Sequence, residues 1–475
     1  MFTPARYEWI LLLRDRWITI LFILFFCVTL FAVLNGQEKV IERKTSITKV
    51  KEEAQLAELK YANDIDSLSR GLKTAPEPWL DPRSLSVYGQ RAGRVVAMDA
   101  QPLALISTGQ SDLYTHTVKP KLYGEANALG FSELSNPVQL MFGSFDLAFV
   151  CIYLLPLLVL AFSYNLLSAD KESGVLRLTI SQPISLYKWL FGKLVVRFVV
   201  LAAIIVTSIV ISLLFADAAI GGEVGKLLLL VLAYTFFWFS VAFLVNLFGA
   251  SSGTNAIALV SVWVVLVLLI PSFISQSANT LYPVPSRINM IHEYRVAEAE
   301  SNKKASELLD GYLRDHPELA SKDSTSKNQY SFWLKYFASV EVIQAAVEPV
   351  VSVYDEALEE QQQWVSQWRV LSPAVLLQNS FNELAGTSTA HYQAFRKQVV
   401  TFSEAWRSFF IPRMFRNESM KPEALKSLPQ HTYTVTDVST HFITDFIGML
   451  VFVAIALSGS LLVHRRFVDT GLTTA

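Results

Sequence analysis

The chain has 475 residues, of which 52% are hydrophobic and only 17% charged, an apolar share above that of a soluble globular domain. Lysine and arginine (40) nearly balance aspartate and glutamate (41), and the net charge of -1 excludes the strongly basic surface that a nucleic-acid-binding protein needs. These values define an integral membrane protein with no nucleic-acid partner.

Residues 1–16 combine Trp9, Ile10, Leu12 and Leu13 with Arg6, Arg14 and Arg16, the composition of an amphipathic helix lying among membrane lipids at the cytoplasmic interface. Residues 17–34 follow as a first span of about 18 uncharged residues, near the lower limit for crossing a hydrocarbon core of roughly 30 Å. A cleaved signal peptide is the rival reading. The leading segment is long, however, and the exit Ala32-Val33-Leu34-Asn35-Gly36 lacks a small-x-small site, so the span reads as a retained anchor. The two cysteines, Cys27 and Cys151, fall inside predicted spans, with neither a CxxC metal motif nor a disulfide framework.

Further spans are predicted over 145–166, 198–215, 227–248, 256–274 and 446–463, giving a mainly α polytopic fold with six transmembrane helices. Basic residues near span ends cluster in the N-terminal segment, after the second span (Lys171, Arg177, Lys188, Lys193, Arg197) and in the tail 464–475 (Arg465, Arg466). The positive-inside rule then puts both termini and the 167–197 stretch in the cytoplasm. Two extracytoplasmic insertions follow, 37–144 and 275–445. In the first, Val50, Ala54, Ala57, Tyr61, Ile65, Leu68 and Leu72 form a helical stripe, and Val95–Ala97 and Leu103–Ser107 have strand character, so this insertion is mixed. The second is mostly helical. Val340, Ile343, Val347, Val351, Tyr354, Leu358, Val365 and Trp368 make one stripe, kinked at Pro349, and Tyr392, Phe395, Phe402, Trp406 and Phe409 make another. These stripes pack on themselves or present a face to a partner.

The stretch 167–197 opens with Asp170, Lys171 and Glu172, passes Gly174 into Val175, Leu176, Leu178 and Ile180, breaks at Ser181-Gln182-Pro183, and continues through Lys193 and Arg197 into membrane. This pattern is a short helical hairpin at a bilayer surface, with polar residues open to a soluble partner; an ordinary basic loop is the plainer alternative. The same residues resemble the cytoplasmic loop of type-2 ABC transporter permeases. There an acidic residue, a basic residue, Glu, any residue, Gly, Thr and Leu precede a Ser-x-Pro-aliphatic-Ser turn and a later Lys. Here the pattern reads Asp170, Lys171, Glu172, Ser173, Gly174, Val175, Leu176, then Ser181, Pro183, Ile184, Ser185 and Lys193, with Lys171 in place of Arg and Val175 in place of Thr. The resemblance implies a coupling helix seated in a separate ABC ATPase subunit, with Asp170, Lys171, Glu172, Gly174, Leu176, Arg177 and Pro183 as the ATPase-coupling residues. It also implies a second permease copy or paralogue, ATP and Mg bound by the ATPase alone, and a place in the inner (plasma) membrane of a bacterium.

Catalytic and cofactor motifs do not stand up. Gly221-Gly222-Glu223-Val224-Gly225-Lys226 is one residue short of a phosphate loop, and Leu227 replaces its Ser/Thr. His292-Glu293 is followed by Val296 where a zinc helix needs His, and Gly109-Gln110-Ser111-Asp112 lacks the second Gly of a nucleophile elbow, leaving nearby His116 as a surface residue. The spans carry no ionisable side chain near their middles; Asp146 and Asp445 sit at outer rims, and Tyr164, Asn165 and Asn246 read as interhelical hydrogen-bond partners. No catalytic, cofactor-binding or metal-binding residue is assigned. The expectation is a permease subunit of an ATP-driven exporter of the ABC-2 type. The alternatives are a mechanotransmitting subunit whose outer domains act on an extracytoplasmic partner protein, and a membrane-anchored sensor or enzyme. The topology is testable directly: a reporter fused after Gly71 or Ser326 should be extracytoplasmic and one after Ser185 or Ala475 cytoplasmic, and an external signal at Ser185 reverses the orientation.

Overall fold

The computed structural model describes residues 8–10, 12, 14, 17–74, 76–77, 79–109, 111, 114–122, 144–181, 186–286, 288–289, 291–293, 295–301, 303, 327–416, 418–435 and 441–469. The chain is mainly α-helical. Among the described residues six helices are long and apolar enough to cross a membrane, and the protein is a multi-pass membrane protein. The first, α1 (Trp17–Ser69), has 53 residues and is therefore about 80 Å long, far more than a bilayer core of about 30 Å requires. The predicted span and the helical stripe beyond it are thus one helix, since no proline interrupts it and its one glycine, Gly36, is held tightly. A β-carbon on Gly36 would lie 2.0 Å from the Leu105 carbonyl oxygen, so α1 and the chain over Leu105 meet backbone to backbone.

After α1 come α2 (Leu85–Arg91) and a two-stranded antiparallel ladder, β1 (Val96–Ala97) with β2 (Thr117–Val118), in which Val96 faces Val118. The expected strand at Leu103–Ser107 is instead a 3-10 turn, Ala104–Ile106. All three of its side chains are buried, which the alternating faces of a surface strand do not allow. Span α3 is built from Leu147–Phe149, a π-helical stretch Val150–Leu154 and Leu155–Ser163. Two short helices follow, α4 (Ser168–Glu172) and α5 (Val175–Ile180), then α6 (Leu186–Phe215) and α7 (Gly222–Asn246). The third span therefore starts before Phe198: Lys193 and Arg197 belong to α6 itself. Span α8 (Ser252–Leu281) contains a second π-helical stretch, Val264–Leu269. Beyond it lie α9 (Lys327–Trp368), which continues through Pro349, then α10 (Pro373–Ala385), α11 (Thr389–Phe415) and the last span α12 (Phe442–Asp469), which reaches into the predicted tail.

The span bundle forms around α7. Most of its apolar residues are buried, and Tyr234, Trp238, Phe239 and Phe243 are almost fully enclosed. In its apolar window 61% of residues are buried, against 17% in α8 and 22% in α1 and α12, so α7 is the axis and those three are peripheral.

The two long inter-span segments share one core at the far end of α1. Ile65 of α1, Tyr88 of α2 and Val96 of β1 pack with Phe395, Phe402, Trp406 and Phe410 of α11, and Trp406 Nε1 donates to the Gly89 carbonyl at 2.9 Å. Arg94 adds hydrogen bonds to the carbonyls of Leu428 and Pro429. The described parts of the two insertions thus form one head with a shared core. It is joined to the bundle by α10, which lies against α7, α8 and α12, and by two buried carboxylates at span starts. Asp146 accepts from the Phe149 and Thr108 amides, each at 2.9 Å; Asp445 faces Arg369 Nε at 3.0 Å and accepts from Asn379 Nδ2 and Ser380 Oγ.

The close approach at Gly36 sets an expectation for stability. Gly36→Ala should lower the melting temperature in detergent by the equivalent of about 1–3 kcal/mol, because backbone must shift to admit a methyl group. Gly192→Ala in α6, with nothing within 4 Å of the new carbon, should not.

A hairpin bolted to four spans as the candidate functional site

The hairpin begins where α3 stops. At residues 164–167 the regular helical hydrogen bonding is interrupted, although Tyr164 and Leu167 keep right-handed helical dihedrals. The side chain of Asn246, at the end of α7, meets the chain there: it accepts from the Leu167 amide at 3.1 Å and donates to the Ser163 carbonyl at 3.0 Å. Asn246 also donates to Ala242 O at 2.8 Å, and Asn255 of α8 donates both to it and to Tyr164 O, each at 3.3 Å. Asn246 and Asn255 are almost fully buried, so these are the groups whose bonds matter most.

From this pivot α4 runs out and Gly174 turns the chain in the left-handed region (φ +76), a conformation that only glycine adopts without strain; the space around it is open. The charged cluster on α4 is spent within the chain. Asp170 pairs with Lys193 of α6. Lys171 Nζ donates to Gly249 O at 2.8 Å. Glu172 accepts from the Ser252 amide at 2.8 Å and from Ser252 Oγ at 3.0 Å. Glu172 ends α4, and the helix dipole it complements is that of α8, whose first amide it holds. These two hydrogen bonds hold its carboxyl below the usual carboxylate range.

Below the hairpin a second set of charges closes the corner with the N-terminal segment. Glu8 is nearly buried, receives Arg197 Nε at 2.7 Å and lies 3.8 Å from Lys193, while Arg197 Nη1 also donates to Phe162 O at 2.6 Å and Asn165 Oδ1 at 3.3 Å. Trp9 and Ile10 beside Glu8 are exposed and Leu12 packs on the bundle, the two-faced arrangement expected of an interfacial helix. Arg6 and Arg16 lie outside the described residues.

Beside the exposed Ser173 and Ser181, two large apolar side chains of the hairpin lie open among the described residues. Leu176 packs against the bundle, whereas Val175 and Leu178 of α5 point away, Leu178 with 72% of its surface exposed. Arg177 lies in α5, though its side chain is not among the described ones; Pro183, with Ile184 and Ser185, lies outside the described residues. The hairpin continues from α3 and is fastened by these bonds to α6, α7 and α8. Sequence reasoning missed Glu8, Ser252 and Asn255. The small polar link Gly249 to Gly253 did carry a helix-start signature at Ser251-Ser252, but nothing local named Glu172 as its partner.

The other candidates do not assemble. His116 is half-buried, and burial with the nearby Arg43 pushes its imidazole down to about 3. His292 and Glu293 are exposed, and among the described residues no group of three or more His, Cys, Asp or Glu side chains could hold a metal ion.

A family model described as a domain of unknown function, DUF3526, matches residues 287–434, which run from the end of the α8 segment through α11 in the head. No curated protein matches the chain.

The corner beneath the hairpin is open to test. Arg197→Ala leaves the buried Glu8 carboxylate with only Lys193 at 3.8 Å and should cost about 3 kcal/mol, seen as a lowered melting temperature in detergent. Lys171→Ala, on the exposed side of α4, should leave the melting temperature unchanged.

Proposed function

We propose that the chain is the membrane-spanning permease subunit of an ATP-driven exporter of the ABC-2 type, in the inner (plasma) membrane of a bacterium. The observation that supports this reading most strongly is the fastened hairpin with an unfilled apolar face. The Asp170-Lys171-Glu172 cluster makes the projection stiff, and Val175 and Leu178 offer the surface that a partner groove would cover. A stiff projection is what a separate ATPase needs if it is to push on α3, α6, α7 and α8 together. ATP and Mg are bound by that partner, and a second permease copy or paralogue completes the assembly.

One feature favours the mechanical variant, in which the head acts on an extracytoplasmic partner and nothing passes between the spans. Span α1 enters the head without a break, and both inter-span segments fold around its end in one core. Reconstituted substrate flux supports export; ATP-dependent movement of the head without flux supports the mechanical reading.

Leu178→Asp places a carboxylate on the face that the partner covers and should reduce co-purification of an ATPase subunit with the tagged chain by more than about tenfold. Ser181→Ala, beside it, should not. Equal ATPase recovery and equal ATP hydrolysis for wild type and Leu178→Asp would overturn the docking assignment.

A further inference from the structure

Two spans are interrupted by the same device. In α3 the π-helical stretch Val150–Leu154 is followed by Pro156, and in α8 the stretch Val264–Leu269 is followed by Pro271. Proline brings no N–H, so a carbonyl one turn earlier loses its donor. Ile152 stands four residues before Pro156, the α-helical spacing; Leu266 stands five before Pro271, the π-helical spacing. Each of these carbonyls is met by a hydroxyl from another helix. Tyr234 of α7 donates to Ile152 O at 3.0 Å, and Ser372, which precedes α10, donates to Leu266 O at 2.7 Å. No water reaches such groups inside a bilayer, so each hydroxyl is the substitute for a missing backbone bond.

The two breaks differ in their surroundings. Tyr234 belongs to the central helix, and α3 is enclosed by its neighbours, so that break cannot move without unpacking the bundle. Helix α8 is the least buried span, with Ile257, Leu269 and Phe273 open on its outer side, and its hydroxyl comes from the residue before α10, whose Leu376, Leu377 and Phe381 pack in the bundle core. Ser372 also sits at the N-cap of α10, accepting from the Val375 amide at 3.4 Å, so a shift of α10 carries the hydroxyl with it.

We propose that the break in α8 is a hinge latched by Ser372: when Ser372 parts from Leu266, the part of α8 beyond Leu269 bends against the part that begins at Ser252. The latch is independent of the exporter reading, since it requires only α8 and the start of α10.

Spin labels on Ile257→Cys and Leu281→Cys, both exposed positions on either side of the stretch, report the bend as a distance distribution for the full chain in nanodiscs. A Cys27→Ser background removes the exposed native thiol, while Cys151 is buried. Wild type should give one narrow distribution. Ser372→Ala should raise the bent population about tenfold, the ratio that loss of a buried hydrogen bond of ordinary strength gives. Pro271→Ala restores the N–H that Leu266 lacks and should narrow the distribution again in the Ser372→Ala background, which a mere capping role for Ser372 does not predict. Tyr234→Phe should leave the α8 distance unchanged. The latch is disproved by a Ser372→Ala distribution as narrow as wild type, by broadening that Pro271→Ala does not reverse, or by equal broadening in Tyr234→Phe.

Discussion

The amide of Asn246 is the interaction on which the hairpin depends. A primary amide inside an apolar bundle is costly unless its donors and acceptor are all engaged, and here they meet Leu167, Ser163, Ala242 and Asn255. That arrangement pairs the peptide groups where α3 passes into α4, ahead of the turn at Gly174. The ion pairs of Asp170, Glu8 and Arg197 then fix the direction in which the reversed chain leaves. Because Asn246 ends the central helix, the hairpin is referred to the axis of the bundle and not to its rim.

Both ends of the bundle use carboxylates at span starts. Asp146 caps α3, Asp445 lies in the first turn of α12, Glu223 lies in the first turn of α7, and Glu172 reaches across to the first amide of α8. The first three are local in sequence and Glu172 is not. A membrane span has no water to complete its terminal amides on the bilayer side, so a short acidic side chain at the rim serves both the dipole and the unpaired donors.

The spans were legible because about 18 or more apolar residues in a row have few other stable fates, and the outward stripe of α1 was legible because three- and four-residue spacing persists through Leu68. Tyr164, Asn165 and Asn246 were identified as interhelical partners on the same grounds, as polar groups too near the membrane to stay unpaired. The rest depended on distance along the chain. Trp406 meets Gly89 across 317 residues and Glu172 meets Ser252 across 80, and no local pattern encodes either pairing. The core shared by the two insertions and the partner of Glu172 are therefore not readable from the sequence. The turn Ala104–Ile106 was misjudged because a short apolar run carries no period that separates strand from tightly wound turn.

The unbroken course of α1 has a geometric consequence. Roughly 50 Å of this helix stands beyond the bilayer if about 30 Å is immersed, and its far end is fixed in the head core by Tyr61 and Ile65. Re-tilting the immersed part by about 5°, small beside the spread of tilts that spans adopt, swings that far end by about 4 Å. The helix is then a lever with its fulcrum at the lipid surface, and the length of the arm, set by sequence, fixes how far a small movement among the spans is magnified in the head.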